Sequence, residues 1–371
     1  GGVAGGTRYS LRGTLHMLHF LLQAPLHPCD GCQQRFDYFA SLHRDRAAAI
    51  AQYQPLRRHP SLFGTAARWR REWLSADARA ALESRGGGGG LRSHLAEVSP
   101  EVFAFPLLRE ECCAMLVEEV DSYLASGLKA ARPNSMNQYG LVLNEVGMEA
   151  LFDSLLETVL QPIARACFPR EGGGLDRHHS FVVQYAAGKD LGLDMHTDDS
   201  DVTFNICLGR DFEGAGLSVC GDMGDSAHRH FTYRHTHRVG HCLMHLGRRR
   251  HGADDITAGE RINLIIWCKG AAYRASRHYL DLQQQRSYAA EAAPPDDICL
   301  SYTHDRDFMR YRTAGARHAA MRRTPWVPPR SAEYPGYEEG PCESDGGSDG
   351  VGDVGCDAED VAVGEREEGA L

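Results

Sequence analysis

The chain has 371 residues, 42% hydrophobic and 24% charged, with a formal net charge of −10. This composition excludes a wholly disordered chain, and the length fits two domains or one large domain with extensions. The acidity is local: residues 331–371 hold 13 acids and one base, which leaves the rest of the chain at +2.

No stretch reaches 18 consecutive apolar residues, so no transmembrane helix is expected. Residues 15–22 are apolar but broken by His16 and His19, a weak signal-peptide core. The compartment is therefore unassigned, with the cytoplasm as default. Twelve cysteines in so long a chain are too sparse for a disulfide scaffold and read as reduced thiols.

Residues 1–92 carry 13 arginines and 6 acids, with Trp69 and Trp73 expected on a helix. No nucleic-acid motif accompanies this charge, so a partly helical region with a solvated basic face is expected. His43-Arg44-Asp45 falls on that face. Cys29 and Cys32 have metal-hook spacing, but no second pair follows, and a zinc site is the lesser reading. The glycine run 86–90 reads as a flexible break, setting a boundary near residue 92. Beyond it lie an expected domain at 93–275, an extension at 276–330 and a disordered acidic tail at 331–371.

After the break, Cys112, Cys113, Leu116, Val117, Val120 and Leu124 recur at helical spacing over 110–125, with Gly127 as terminator. A second helix is expected over 148–167, with Pro162 as a kink point. The period then shortens. Strands are expected at 181–185, 202–208, 217–220, 231–235, 241–246 and 262–268, without helices between them. This order gives an α+β fold: an antiparallel barrel or sandwich braced by helices.

His196-Thr197-Asp198 falls in a polar turn between two of these strands, and His251 and Arg261 follow. Two histidines and one carboxylate form the facial set used for non-haem Fe(II), leaving open positions for co-substrate and oxygen. An arginine on a neighbouring strand offers a bidentate partner for a distal carboxylate. His245, six residues before His251, is the alternative third ligand. In 202–208, Thr203, Asn205 and Cys207 share one face. In the last strand Arg261 and Asn263 share a face opposite Ile262, Leu264 and Ile266, so polar residues line a barrel mouth. His228, His230, His235, His237 and His241 scatter over both strand faces and read as solvated or structural. Arg248-Arg249-Arg250 reads as exposed loop charge.

The stretches FVVQY (181–185), MHTDDSDVTFNICLG (195–209), FEGAGLSVCG (212–221) and VGHCLMHLGRRRHGADDITAGERINLIIW (239–267) carry a family resemblance. They resemble iron- and 2-oxoglutarate-dependent dioxygenases of the prolyl 4-hydroxylase and procollagen lysyl hydroxylase type. PNSMNQYGLVLNEVG (133–147) resembles the segment before the barrel in the group called 2-oxoglutarate and iron-dependent oxygenase domain-containing protein 2. The resemblance spans about residues 100–270, is thin over 1–92, and is absent from the tail.

This resemblance implies a double-stranded β-helix (jelly-roll, cupin-like) at about 178–270. It implies Fe(II) on His196, Asp198 and His251, with Arg261 clamping the C5 carboxylate of the co-substrate 2-oxoglutarate. It also implies O2 as second substrate, ascorbate as reductant, and hydroxylation of a prolyl, lysyl or other side chain with release of succinate and CO2. The family's Arg-x-Ser reads Arg261-Ile262-Asn263 here, and Cys207 replaces a strand tyrosine used by some relatives. Asn205, Tyr185 and Asn263 are then the expected further co-substrate contacts. The competing readings are a non-catalytic cupin-like metal binder and an interaction protein that works through its charged ends.

Overall fold

A computed structural model describes residues 30–288, apart from positions 85, 86, 135, 224, 226, 227 and 229. The acidic tail, most of the extension and the first 29 residues lie outside the described residues. Cys29 and the side chain of Cys32 fall there too, and with them the metal-hook reading.

The helix α1 (Asp30–Tyr53) is followed by three single-turn 3-10 segments, α2 (Ala76–Glu83) and α3 (Gly87–Arg92). Ser75 caps α2, its hydroxyl accepting from the Ala78 N–H at 3.0 Å. Arg44 and Asp45 of the first His-x-Asp are exposed on α1, as a solvated face requires. Trp69 and Trp73 are not on an α-helix. Trp73 ends a 3-10 turn, and Trp69 is buried edge-on to Trp73 and against Phe152. They anchor the N-terminal region instead of offering a basic aromatic surface. Tyr53, Leu62, Trp69 and Leu74 before the glycine run share one core with Phe103, Leu116, Leu151 and Phe204 after it.

The hairpin β1 (Ala96–Ser99) and β2 (Val102–Pro106) leads into α4 (Glu110–Ala125). The expected apolar face of α4 is buried, except that Leu124 points outward and Tyr123 takes the inner place. Gly127 ends the helix region at φ +74°, a conformation that glycine adopts without steric cost. After β3 (Gly140–Val142), the second expected helix is three pieces: α5 (Glu149–Leu155), a π turn over Leu156–Leu160, and α6 (Gln161–Cys167). Pro162 has no N–H to give to the residue four back, and the ladder widens before it.

The remaining strands are β4 (Arg177–Ala186), β5 (Leu193–His196), β6 (Val202–Gly209), β7 (Phe212–Gly214), β8 (Leu217–Asp222), β9 (Tyr233–His235), β10 (His241–Leu246), β11 (Arg249–Ala253) and β12 (Ile256–Lys269). Short helices α7 (Ala271–Arg274) and α8 (Arg277–Tyr288) follow. Two antiparallel sheets result. One runs β1-β2-β10-β6-β12-β4-β3, with β7 also on β12; the other runs β5-β11-β8-β9. The helices cover the outer face of the large sheet, where Ile206, Leu208, Ile262, Leu264 and Ile266 join their core. Its inner face meets the small sheet in a second core that holds Phe181, Val183, Leu193, Leu217, Val219 and Ile265. This alternation explains why all eight residues of β6 are buried.

Candidate active site

Strand register brings the distant residues together. His196 ends β5 and is the direct cross-strand partner of His251 on β11. Their rings lie 4.4 Å apart. Asp198 follows β5 in a segment clamped to the chain after β10: its N–H donates to the Gly247 carbonyl at 2.9 Å. Gly247 must be glycine, because a Cβ there would come within 2.0 Å of the Ser200 carbonyl.

One donor atom each from His196, Asp198 and His251 lies within 4.8 Å of the others. His196 Nε2 is 3.5 Å from Asp198 Oδ1, and His251 Nε2 is 3.6 Å from Oδ2. Both Nδ1 atoms are occupied by backbone carbonyls, His196 with Asp194 at 2.7 Å and His251 with Arg249 at 2.9 Å. Those bonds place the proton on Nδ1 and turn the Nε2 lone pairs toward the carboxylate. Thr203 donates to Asp198 Oδ2 at 2.7 Å and orients it.

Burial raises the pKa of the Asp198 carboxyl, but the opposing effects of His251 and His196 outweigh it and hold it below the usual carboxylate range. Burial pushes the His251 imidazole down to about 3 against the pull of Asp198. An ionised carboxylate beside a neutral imidazole matches what a divalent metal requires. His245, the alternative ligand, is fully buried with its ring 4.5 Å from that of His251 and tilted to it, but it stands outside the donor group.

A small open cavity runs from this group between the sheets. Tyr185, Asn205, Arg261 and Asn263 all line it. Arg261 and Tyr185 are cross-strand partners on β12 and β4, and the guanidinium lies 4.5 Å from the centre of the phenol ring. Arg261 is 1% exposed; it donates to the Ala215 carbonyl, while its Nε has no partner. Asn263 donates to Asn205 Oδ1 at 2.5 Å, and its Oδ1 is buried and unpaired. Cys207 shares their strand face but does not line the cavity.

One sequence expectation fails here. Arg249 and Arg250 are buried, not exposed loop charge. Arg249 pairs with Asp222 at 2.6 Å and donates to the carbonyls of Cys220 and Pro100; Arg248 bridges Asp222 and Glu171. This network braces β11, the strand that carries His251. Of the clustered histidines, His228, His235 and His237 are buried, in line with the structural side of the expectation. Sequence reasoning also missed Asn134 and Asn137, which line the cavity from the irregular segment before β3. No spacing signal marked them; only the unabsorbed PNSMNQYG stretch did.

The sheets and these side chains define a class of protein whose chemistry sits between two antiparallel sheets, with a metal-type donor set at one end and a buried cation at the other. The OGFOD2-like domain family matches residues 50–173, so the likeness reaches well into the N-terminal region where it had looked thin. A 2-oxoglutarate and iron-dependent oxygenase domain-containing protein 2 from Xenopus tropicalis is 36% identical over 242 residues, covering 63% of this chain and 67% of that protein. The chain belongs to this family. The 2-oxoglutarate and iron-dependent oxygenase domain-containing protein CP2 of Arabidopsis thaliana is 37% identical over 201 residues, covering 51% of each chain. A human multifunctional procollagen lysine hydroxylase and glycosyltransferase is 27% identical over 224 residues, 56% of this chain and 28% of that one. The chain spans about half the length of the first two plant relatives it matches.

Proposed function

We propose that the chain is an Fe(II)- and 2-oxoglutarate-dependent oxygenase acting on a peptidyl side chain, with the two sheets forming a double-stranded β-helix core. The observation that carries this reading is the pairing of a two-histidine, one-carboxylate group with a buried arginine at opposite parts of one cavity. A metal binder alone has no use for a buried cation without a carboxylate partner. The names of the relatives support the same cofactors.

The donor set fits iron: two imidazoles, each oriented through its far nitrogen, and one carboxylate oriented by Thr203. His196, Asp198 and His251 would hold the metal. Iron bound there with 2-oxoglutarate and O2 supplies the oxidation, with succinate and CO2 as products. Arg261 neutralises the far carboxylate of the co-substrate, and the Asn205–Asn263 amide pair and the Tyr185 hydroxyl border the same end. Phe181 and Trp267, edge to face at 5.0 Å, wall the cavity and limit water at the reacting centre. The name of the procollagen lysine hydroxylase relative supports a peptidyl substrate, and ascorbate is the reductant we assign for keeping iron ferrous.

The test is an anaerobic titration of the protein with Fe(II) and then 2-oxoglutarate. A chelated co-substrate on iron gives a visible charge-transfer band, expected in the wild type and absent in Asp198→Ala. A wild type that gives no band contradicts the reading.

A further inference from the structure

Asn137 lies outside every strand, between α4 and β3, yet it is 1% exposed and lines the cavity. Its amide is fully committed. Nδ2 donates to the Tyr185 hydroxyl oxygen at 3.2 Å and to Asp190 Oδ2 at 3.4 Å. Oδ1 accepts from Asn134 Nδ2 at 3.0 Å. Asn134 is fixed in turn, because its Oδ1 accepts the N–H groups of Met136 and Asn137 at 2.8 and 2.7 Å. Turning the Asn137 amide over would set its oxygen against the Asp190 carboxylate and its NH2 against another NH2. The neighbours therefore determine its sense. The segment itself is tied to the turn after β4, since Asp190 Oδ2 also accepts from the N–H groups of Gln138 at 2.8 Å and Tyr139 at 3.3 Å.

This arrangement contributes to the polarity of Tyr185, together with the Arg261 guanidinium, which also donates to the phenol oxygen. An amide NH2 only donates, so the phenol oxygen accepts from Asn137 and its single proton is left for another acceptor. The ring is buried, lines the cavity and lies beside the Arg261 guanidinium. Burial also raises the phenol's pKa, so the proton stays on.

We propose that Asn137 is a positioning residue that holds the Tyr185 hydroxyl as a hydrogen-bond donor toward the carboxylate paired with Arg261. The inference rests on the reading of this cavity as a 2-oxoglutarate site. Asn137 would act through the phenol: its hydrogen bonds reach Tyr185, Asp190 and Asn134, and none reaches His196, Asp198, His251 or Arg261.

The test uses the full chain loaded with Mn(II), which binds the co-substrate without turnover. Calorimetry gives the affinity for Mn(II) and then for 2-oxoglutarate in the wild type, Asn137→Ala, Tyr185→Phe, the double variant and Arg261→Ala. Each of the first two single variants should weaken 2-oxoglutarate roughly tenfold, the scale of one hydrogen bond to a charged group. The double variant should be no weaker than Tyr185→Phe alone, and Mn(II) affinity should be unchanged in all four variants. Wild-type affinity in Asn137→Ala overturns the proposal. So does an Asn137→Ala loss that persists in the Tyr185→Phe background, or one that comes with loss of Mn(II). Unchanged 2-oxoglutarate binding in Arg261→Ala identifies a different failure, that of the co-substrate site itself.

Discussion

Arg261→Met separates what the arginine does for the ligand from what it does to the fold. Among the described residues no carboxylate pairs with this guanidinium; it has the Ala215 carbonyl, the Tyr185 ring face and an unpaired Nε. Burial lowers its pKa, the mark of a charge held at a cost. With no carboxylate partner left stranded, replacing this buried cation with an apolar side chain of similar length should leave the ligand-free fold at least as stable. The ligand experiences the opposite. Removing one partner of a buried, hydrogen-bonded charge pair costs about 2–5 kcal/mol, so 2-oxoglutarate affinity should fall about 30-fold to several thousand-fold. Urea unfolding of the ligand-free protein and calorimetric titration with 2-oxoglutarate measure the two effects. A variant that is less stable without ligand and binds 2-oxoglutarate like the wild type would refute the reasoning.

Acid should weaken the fold through its buried histidines. His235 is pushed down to about 4, first by burial and then by His241, Arg261 and Arg238. Between about pH 6.5 and 4 the unfolded chain binds the proton and the folded one does not, so stability falls as pH drops through that window. His235→Leu should flatten the dependence by up to about 3 kcal/mol, and denaturant midpoints across the window that keep the wild-type slope would count against this. The N-terminal region should depend on Glu119, a fully buried carboxylate on α4 that accepts from the Tyr53 hydroxyl and from the N–H groups of Arg58 and His59. Glu119→Leu strands the N–H groups of Arg58 and His59, leaves the Tyr53 hydroxyl only the backbone carbonyl of residue 119, and should cost about 2–5 kcal/mol. It should also expose 30–75 to limited proteolysis; a protected segment would show that the region is held elsewhere.

Legibility in the sequence followed the physics of each element. Strands with one greasy face, such as 202–208 and 262–268, were plain, and their polar faces pointed to the cavity. The strands β5 (LDMH) and β11 (RRHGA) were not, because their inward residues are metal-type donors and a charged pair instead of an apolar stripe. The arginine run looked solvated for the same reason: a charge run is normally exposed, but here Asp222 and Glu171 supply buried counter-charges that lie 26 or more residues away in sequence. The donor set itself was legible, since His-x-Asp, a later histidine and an arginine opening a strong strand keep their spacing whatever the fold does around them. Asn137 was invisible because its role depends on contacts with β4 and the turn after it, which no local pattern encodes.

In the proposed function, His196, Asp198 and His251 carry an iron-dependent oxidation of 2-oxoglutarate. The direct measurement is succinate formed from 2-oxoglutarate by the aerobic protein with Fe(II) and ascorbate, in the wild type and in His196→Ala, alongside the melting temperature of each. The account predicts succinate from the wild type, even without a primary substrate, and none above background from a folded His196→Ala. No succinate from the wild type, or equal succinate from both, would contradict it.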